Sequence, residues 1–306
     1  MKKIHCFFHG DLDGIVSYLI VKWAFPKENL TYTVIPTNSM FKDILTTWMT
    51  TNNIENYKQI FILDLDVCDS YDLIDKKNVF IIDHHESHTT NKPEHKEATV
   101  AVKVYSSAAK LTYKLFEKLF KLDTSKEQKA LIALTDDYDS YKLSNPLSRD
   151  LNILYWSSQK KNETFISNFQ LGFRGFTLQQ KNIINIYKND LKELINKLQF
   201  FQGELEIQGK NRKIVATMAD AMINDVADYI NETFDPDIAM IVNVASSHVS
   251  FRRSMTKNDD LDLSVWASEI GDGGGHKFSS GCILEHDCLL GLTKKLVPIE
   301  RNSKSN

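Results

Sequence analysis

Val79-Phe80-Ile81-Ile82-Asp83-His84-His85 is four apolar residues followed at once by an acid and two imidazoles. An apolar run this short reads as a buried strand. Open parallel sheets gather ligands at the carboxyl ends of such strands. The same pattern stands twice upstream. Residues 4–8 are apolar but for His5 and run into His9-Gly10-Asp11-Leu12-Asp13-Gly14, and residues 60–63 run into Asp64-Leu65-Asp66. Three strand ends in the first third of the chain therefore carry His and Asp and little else that could do chemistry. The expectation is that they converge on metal ions.

Working outward, residues 15–25 read as a helix closed by Pro26, residues 32–35 as a strand and residues 41–48 as a helix. Apolar runs that alternate with amphipathic stretches are the βαβ signature of a parallel sheet. Residues 92–100 are polar and read as a loop. Ser106-Ser107 can cap a helix over 108–119, with Leu111, Leu115 and Leu119 on one stripe. A second helix over 127–134 leads into Thr135-Asp136-Asp137-Tyr138-Asp139. Residues 145–175 read only as helix fragments with aromatic residues and no clear period. Residues 176–198 then place Ile183, Ile184, Tyr187, Leu191, Leu194, Ile195 and Leu198 at steps of three and four, which predicts one long amphipathic helix.

Beyond it, apolar runs at 205–207 and 214–216 flank Gly209-Lys210-Asn211, a hairpin pattern. A helix over 225–233, strands over 238–244 and 249–252, a helix over 263–270, a strand over 282–284 and a closing helix over 289–296 follow. The tail from Arg301 is polar. The fold class expected is α/β: an N-terminal parallel-sheet domain (1–172), a linking helix (173–202) and a smaller mixed α/β domain (203–300). A length of 306 residues suits two cores, and 42% hydrophobic residues suffice to fill them.

The net charge of −3 argues against a surface that holds long duplexes through counterion release. Cys6, Cys68, Cys282 and Cys288 form no CxxC pair, so a zinc-thiolate site is not expected and a reducing compartment is. No leader-like stretch follows Met1, and no run approaches the ~20 apolar residues of a membrane span. The expectation is a soluble cytoplasmic protein.

His9, Asp11 and Asp13 are spaced by two, so in an extended chain they would line one side. Two carboxylates with an imidazole form a hard N/O set, better suited to manganese or magnesium than to zinc. Packed carboxylates repel unless a cation lies between them. Taken singly, Asp11 could cap a helix, Asp64 could end a strand, and any of Asp136, Asp137 or Asp139 could be structural. Of the adjacent His84 and His85, one can bind metal while the other faces substrate, with Asp83 fixing a tautomer. The glycine run 271–276 could bring backbone N–H groups around an anion, and Arg252 could clasp a phosphate; each also reads as a plain turn or an exposed edge residue.

As an ordered set these residues resemble the DHH phosphoesterase superfamily. His9 to Gly14 is similar to its first motif in the HxDxDG form, Asp64 to the second-motif acid, with Asp66 competing for that place, Asp83-His84-His85 to the third motif and Asp137 to the fourth, chosen over Asp136 and Asp139 on its spacing to Tyr141. Ser250-Phe251-Arg252 with Gly273-Gly274-Gly275-His276 resembles the strand and GGGH loop of the DHH-associated C-terminal domain. The length and the HxDxDG spelling look most similar to nano-RNase-type members rather than to RecJ-type exonucleases with added nucleic-acid-binding domains. The pyrophosphatase branch shares the metal site but lacks the GGGH domain.

The resemblance implies two divalent ions, manganese first, with magnesium or cobalt as alternatives. One ion would take His9, Asp11 and Asp64, and the other Asp13, Asp64, His84 and Asp137. Asp83 would stand behind them, His85 would face the phosphate, and Arg252, Gly273, Gly274, Gly275 and His276 would hold the terminal nucleotide. The activity implied is hydrolysis of short single-stranded oligonucleotides to nucleoside monophosphates. The alternatives are a phosphodiesterase of cyclic or linear dinucleotide signals and a nucleotide-binding regulatory protein without turnover. Neither a membrane nor a long duplex is expected as a partner, and the oligomeric state stays open.

Overall fold

The computed structural model describes residues 3–85, 88, 95–104, 106–254, 257, 260–283 and 297–298. The chain divides into two compact units, Met1–Ile184 and Asn185–Asn306. The division falls within a 20-residue helix, Leu178–Lys197.

The first unit is built on five parallel strands: β1 (Ile4–His9), β2 (Leu30–Ile35), β3 (Gln59–Leu63), β4 (Val79–Asp83) and β5 (Thr99–Val102), in the order β2-β1-β3-β4-β5. Both faces are covered, which is why the central strands are apolar along their whole length. Phe7, Ile60, Ile62, Val79 and Ile81 pack with Phe41, Leu45 and Trp48 of helix α2 (Phe41–Met49). On the opposite face Phe61 meets Phe116 of a later helix and Phe25, and Phe8 stacks on Tyr18 of α1 (Leu12–Ala24). After α3 (Tyr71–Ile74) come α4 (Ala108–Leu119), α5 (Lys126–Asp139), α6 (Pro146–Trp156) and α7 (Lys161–Phe169).

The strand order places the site. The connection leaving β1 runs to β2 on one side, while the connection leaving β3 runs to β4 on the other. Such a reversal opens a crevice at the carboxyl ends of the two strands. The register aligns Phe8 with Leu63 and Leu63 with Ile82. His9, Asp64 and Asp83 therefore stand in one row at that end.

Two local expectations are corrected and a third is sharpened. The polar stretch 92–100 is not wholly loop, because Thr99–Val102 adds to β4 as the fifth strand. The helix expected over 127–134 runs on to Asp139, so all three acids of its end are helical. The aperiodic stretch holds two helices, α6 and α7. The first starts from an Asn145 cap with Pro146 in its first turn, a start signal that local chemistry carries even where periodicity does not.

In the second unit α8 (Leu178–Lys197) lays Leu191, Leu194 and the following Leu198 against a core of Phe200, Val215, Val226, Ile230 and Ile241. Strands β6 (Phe200–Ile207) and β7 (Lys210–Met218) form a hairpin. Its two turn residues, Gln208 and Gly209, both have positive φ, the primed geometry that matches strand twist. Helix α9 (Ile223–Phe234) leads to β8 (Ile238–Asn243), parallel to β7, and then to β9 (His248–Arg252), α10 (Leu263–Ile270), β10 (Gly273–His276), β11 (Ser279–Ile283) and β12 (Val297–Pro298). The order is β10-β11-β9-β8-β7-β6-β12. The closing helix expected over 289–296 and the polar tail from Arg301 lie outside the described residues. No helix among the described residues is long and apolar enough to cross a membrane.

Candidate metal centre

His9 ends β1, and Asp11 caps α1 by accepting from the Gly14 amide at 2.9 Å. A side chain at Gly14 would put its Cβ 2.1 Å from the His9 carbonyl oxygen, so the first turn of α1 can pass over the strand end only as glycine. His9 Nδ1 lies 2.9 Å from Asp11 Oδ2. Asp13 does not share a strand face with these two, as the spacing of two suggested. It sits in the first turn of α1, fully buried, and accepts from the Ala108 and Ala109 amides at 2.6 and 2.9 Å. Those are the leading N–H groups of α4, where the helix dipole favours a carboxylate.

Asp64 follows β3 with φ of 58°, a left-handed conformation that is uncommon outside glycine. Its amide donates to the Ile82 carbonyl at 2.9 Å, which ties the bend to β4. The turned backbone aims the carboxylate between two imidazoles: Oδ1 is 3.1 Å from His84 Nε2 and Oδ2 is 3.6 Å from His9 Nδ1. His84 Nε2 also lies 3.5 Å from Asp139 Oδ2 and 3.9 Å from Asp13 Oδ2. Behind them Asp83, wholly buried, receives His85 Nδ1 at 2.6 Å and His88 Nδ1 at 2.7 Å.

Three overlapping sets of ligand atoms result: His9, Asp11 and Asp64; Asp64, His84 and His85; and Asp13, His84 and Asp139. Within each set the atoms lie within 4.8 Å of one another. Asp139, not Asp137, is the acid of α5 that joins them. Asp137 instead faces the start of α6, accepting from Ser144 Oγ, from the Ser144 and Asn145 amides at 3.1 Å each and from Ser148 Oγ at 2.8 Å. Asp136 takes Lys110 and Lys142 at 2.7 and 2.8 Å.

The electrostatics fit a cation-binding centre. Burial raises the Asp13 carboxyl, and the neighbouring Asp139 and Asp64 raise it further. Burial likewise raises Asp139. Burial would also raise Asp64, but its contacts with His84 and His9 hold it well below the usual range. The imidazoles supply the compensating charge. Burial works against protonation of His9 and His84, yet their contacts with Asp11, Asp64 and Asp139 push both up to about 11. Even so, Asp64 Oδ2 and Asp139 Oδ2 are buried and accept no hydrogen bond. Oxygens of this kind are costly unless a cation meets them. The hard N/O donor set suits a divalent ion of the manganese or magnesium class.

Residues 3–137 match the DHH family, N-terminal domain. No curated protein sequence matches the chain. Solved structures that it resembles include the DHH domain of a member of a ribosomal-protein family, with 13% identity, a TM-score of 0.65 and coverage of 96% of this chain and 86% of that one. Exonuclease RecJ bound to manganese is 12% identical, with a TM-score of 0.59 and coverage of 96% and 88%. A pGpG-specific phosphodiesterase, PggH from Vibrio cholerae, is 13% identical, with a TM-score of 0.58 and coverage of 96% and 97%. At these identities the likeness is one of fold.

Beyond residues 3–137, the second unit places the remaining expected residues in adjacent strands. The glycine run is not a free loop: Gly273–His276 is β10, hydrogen-bonded to β11. The register aligns Arg252 with Ser279 and Ser279 with His276. A Cβ on Gly273 would lie 2.5 Å from that of Cys282, and Gly275 has φ of 139°, whereas a Cβ on Gly274 would meet nothing within 4 Å. Gly274 is thus the open backbone position of the three. The Arg252 guanidinium bonds Asn224 Oδ1 at 2.9 Å and the Ser280 carbonyl at 3.1 Å.

Two groups at the centre escaped the sequence reading. His88 lies three residues after His85, a spacing that could have drawn notice, since it brings both imidazoles to Asp83. Lys161 gives no such signal; its ammonium donates to the Gly10 carbonyl at 2.6 Å from another part of the chain.

Proposed function

We propose that the protein is a two-metal phosphodiesterase, manganese-dependent, that releases nucleoside monophosphates from short oligonucleotides. The observation that carries this reading is the sharing of ligands: Asp64 and His84 each belong to two of three adjoining sets. His9, Asp11 and Asp64 would hold one ion, and Asp13, Asp64, His84 and Asp139 the other. Bound there, two divalent ions would polarise the scissile phosphate, ease deprotonation of the attacking water and neutralise developing charge.

The chain's own residues do the rest. Asp64, held in its turned conformation by the β4 carbonyl, presents one oxygen to each side. Asp13 is fixed by two amides of α4, so its position does not depend on solvent. Asp83 holds His85 Nδ1, and Nε2, which lies 3.5 Å from Asn38 Nδ2, would be the nitrogen to meet a phosphate oxygen or deliver a proton to the leaving group. In the second unit Arg252, the open backbone at Gly274 and the flanking Gly273, Gly275 and His276 would take the terminal nucleotide. The modest net charge favours a short substrate over a long one.

The test is a turnover panel with manganese, resolved by product chromatography: a dinucleotide, a five-nucleotide RNA, the matching DNA, linear pGpG, a cyclic dinucleotide and pyrophosphate. Monophosphates from the short linear RNAs support the reading. Preference for pGpG or the cyclic compound moves the protein to signal turnover, a reading consistent with the fold it shares with a pGpG-specific enzyme. Binding of manganese without turnover of any of the six would replace it with a non-catalytic nucleotide-binding role.

A further inference from the structure

The ammonium of Lys161 does more than meet Gly10. It lies 3.4 Å from the centroid of the Trp156 ring and 5.0 Å from that of Tyr155. Gly10 stands between His9 and Asp11, so one lysine joins an indole to the loop that carries two metal-binding groups. Tyr155 is fully buried and meets Trp156 edge-on, with centroids 5.3 Å apart. Trp156 itself, the last residue of α6, remains 54% exposed. Packing explains Tyr155 and the lysine stem. It does not explain an indole left more than half in solvent, backed by a cation and held beside an acidic centre.

A flat, rigid aromatic surface next to a phosphate-processing site is the chemistry that receives a nucleobase, because every base offers a π face for stacking. The cation contributes twice. It fixes the indole from one side, and an ammonium has three donors, of which the Gly10 carbonyl takes one. We propose that Trp156 and Lys161 form a nucleobase subsite on the first unit, where a base of the substrate lies on the exposed indole and Lys161 meets the adjoining phosphate beside Asp11. The subsite takes its substrate class from the phosphodiesterase reading. It adds a contact on the metal-bearing unit to those expected of the second unit.

Steady-state kinetics with manganese test it, using a diadenosine dinucleotide and two analogues that each lack one base. In the wild type, one of the two abasic analogues has a KM about tenfold or more above that of the full dinucleotide, the range that loss of one stacked base implies. Trp156→Ala raises KM for the full dinucleotide to that level and changes kcat less than about threefold. Trp156→Phe, which keeps an aromatic face, retains most of the wild-type KM. Trp156→Ala with unaltered KM overturns the subsite. Calorimetric binding of adenosine monophosphate to the manganese-loaded protein separates the two readings. If no dinucleotide is hydrolysed, the phosphodiesterase reading fails, while monophosphate binding lost in Trp156→Ala and kept in Trp156→Phe still sustains the subsite. Equal binding by wild type and Trp156→Ala, or none by the wild type, overturns it.

Discussion

Asp136, Asp137 and Asp139 show how little separates three roles. A helix turns ~100° per residue, so Asp137 and Asp139 project to nearly opposite sides. One caps the loop to α6, and the other enters the centre. Asp139→Asn should weaken manganese binding by at least about 100-fold with little change in melting temperature, as read by calorimetry. Asp137→Asn should do the reverse, lowering stability by about 1–2 kcal/mol through its lost serine and amide bonds while leaving manganese affinity nearly intact. Asp64→Asn separates geometry from charge. Asparagine tolerates the left-handed backbone, so the fold should persist while metal binding falls sharply; a wild-type affinity would remove Asp64 from the ligand set. A pH dependence follows with a definite sign. Without metal, contacts with neighbouring carboxylates hold His9 and His84 up at about 11, so their charge pairs stabilise the protein fully below an ordinary imidazole pKa of 6.5 and fade as pH rises from there toward about 11. Ligation needs the bare nitrogens, so manganese should displace protons, and its affinity should rise from pH 6 to pH 8 in isothermal titrations. Most of these groups were legible because several acids and imidazoles at the ends of apolar runs have few joint alternatives. Asp139 was not separable from its neighbours, because helical phase depends on where α5 ends, and the acids alone do not say. Lys161 was invisible because its contact with Gly10 is made only by the tertiary fold.

At the scale of elements, the four strands β1 to β4 were readable as apolar runs, and their order explains why β1 and β3 frame the centre. The fifth strand was not readable, because Thr99–Val102 is short and follows a polar stretch. What holds it is an anchor outside the strand: Asp75 accepts from the amides of Lys96, Glu97 and Ala98 at 2.8–2.9 Å. These amides, from Ala98 first, hold the Asp75 carboxyl down at about 2. Because the folded value lies below the ordinary 3.8, the anchor is complete above that value and is lost as pH falls from about 4 to 2. Hydrogen exchange should show the amides of residues 96–98 losing protection across that window. At neutral pH Asp75→Ala should free the same amides while leaving manganese binding unchanged. The glycine run was misread for a related reason. Glycines suggest a loop, but Gly273 and Gly275 are small because β11 packs where their side chains would be.

For the whole molecule, two cores were expected from length and from the long helix, and the division between units falls inside that helix at Ile184. The candidate metal ligands, from His9 to Asp139, all belong to the first unit. Manganese should therefore raise the calorimetric transition of that unit alone, by about 2.7 kcal/mol at a hundred times its Kd, and chelation should reverse the shift. A metal-induced shift of both transitions together would mean that the units unfold as one. The position of Asp139 has one more consequence. Of the residues in the three ligand sets it is the last to leave the ribosome, and His9 is the first. At roughly 5–20 residues per second, His9, Asp11 and Asp13 emerge several seconds before their partner on α5. A nascent chain in that interval offers an incomplete set of imidazoles and acids, which would hold a cation weakly. Tight metal binding would thus wait on the last group of the set, and a chain truncated before Asp139 should bind manganese more weakly than the whole chain.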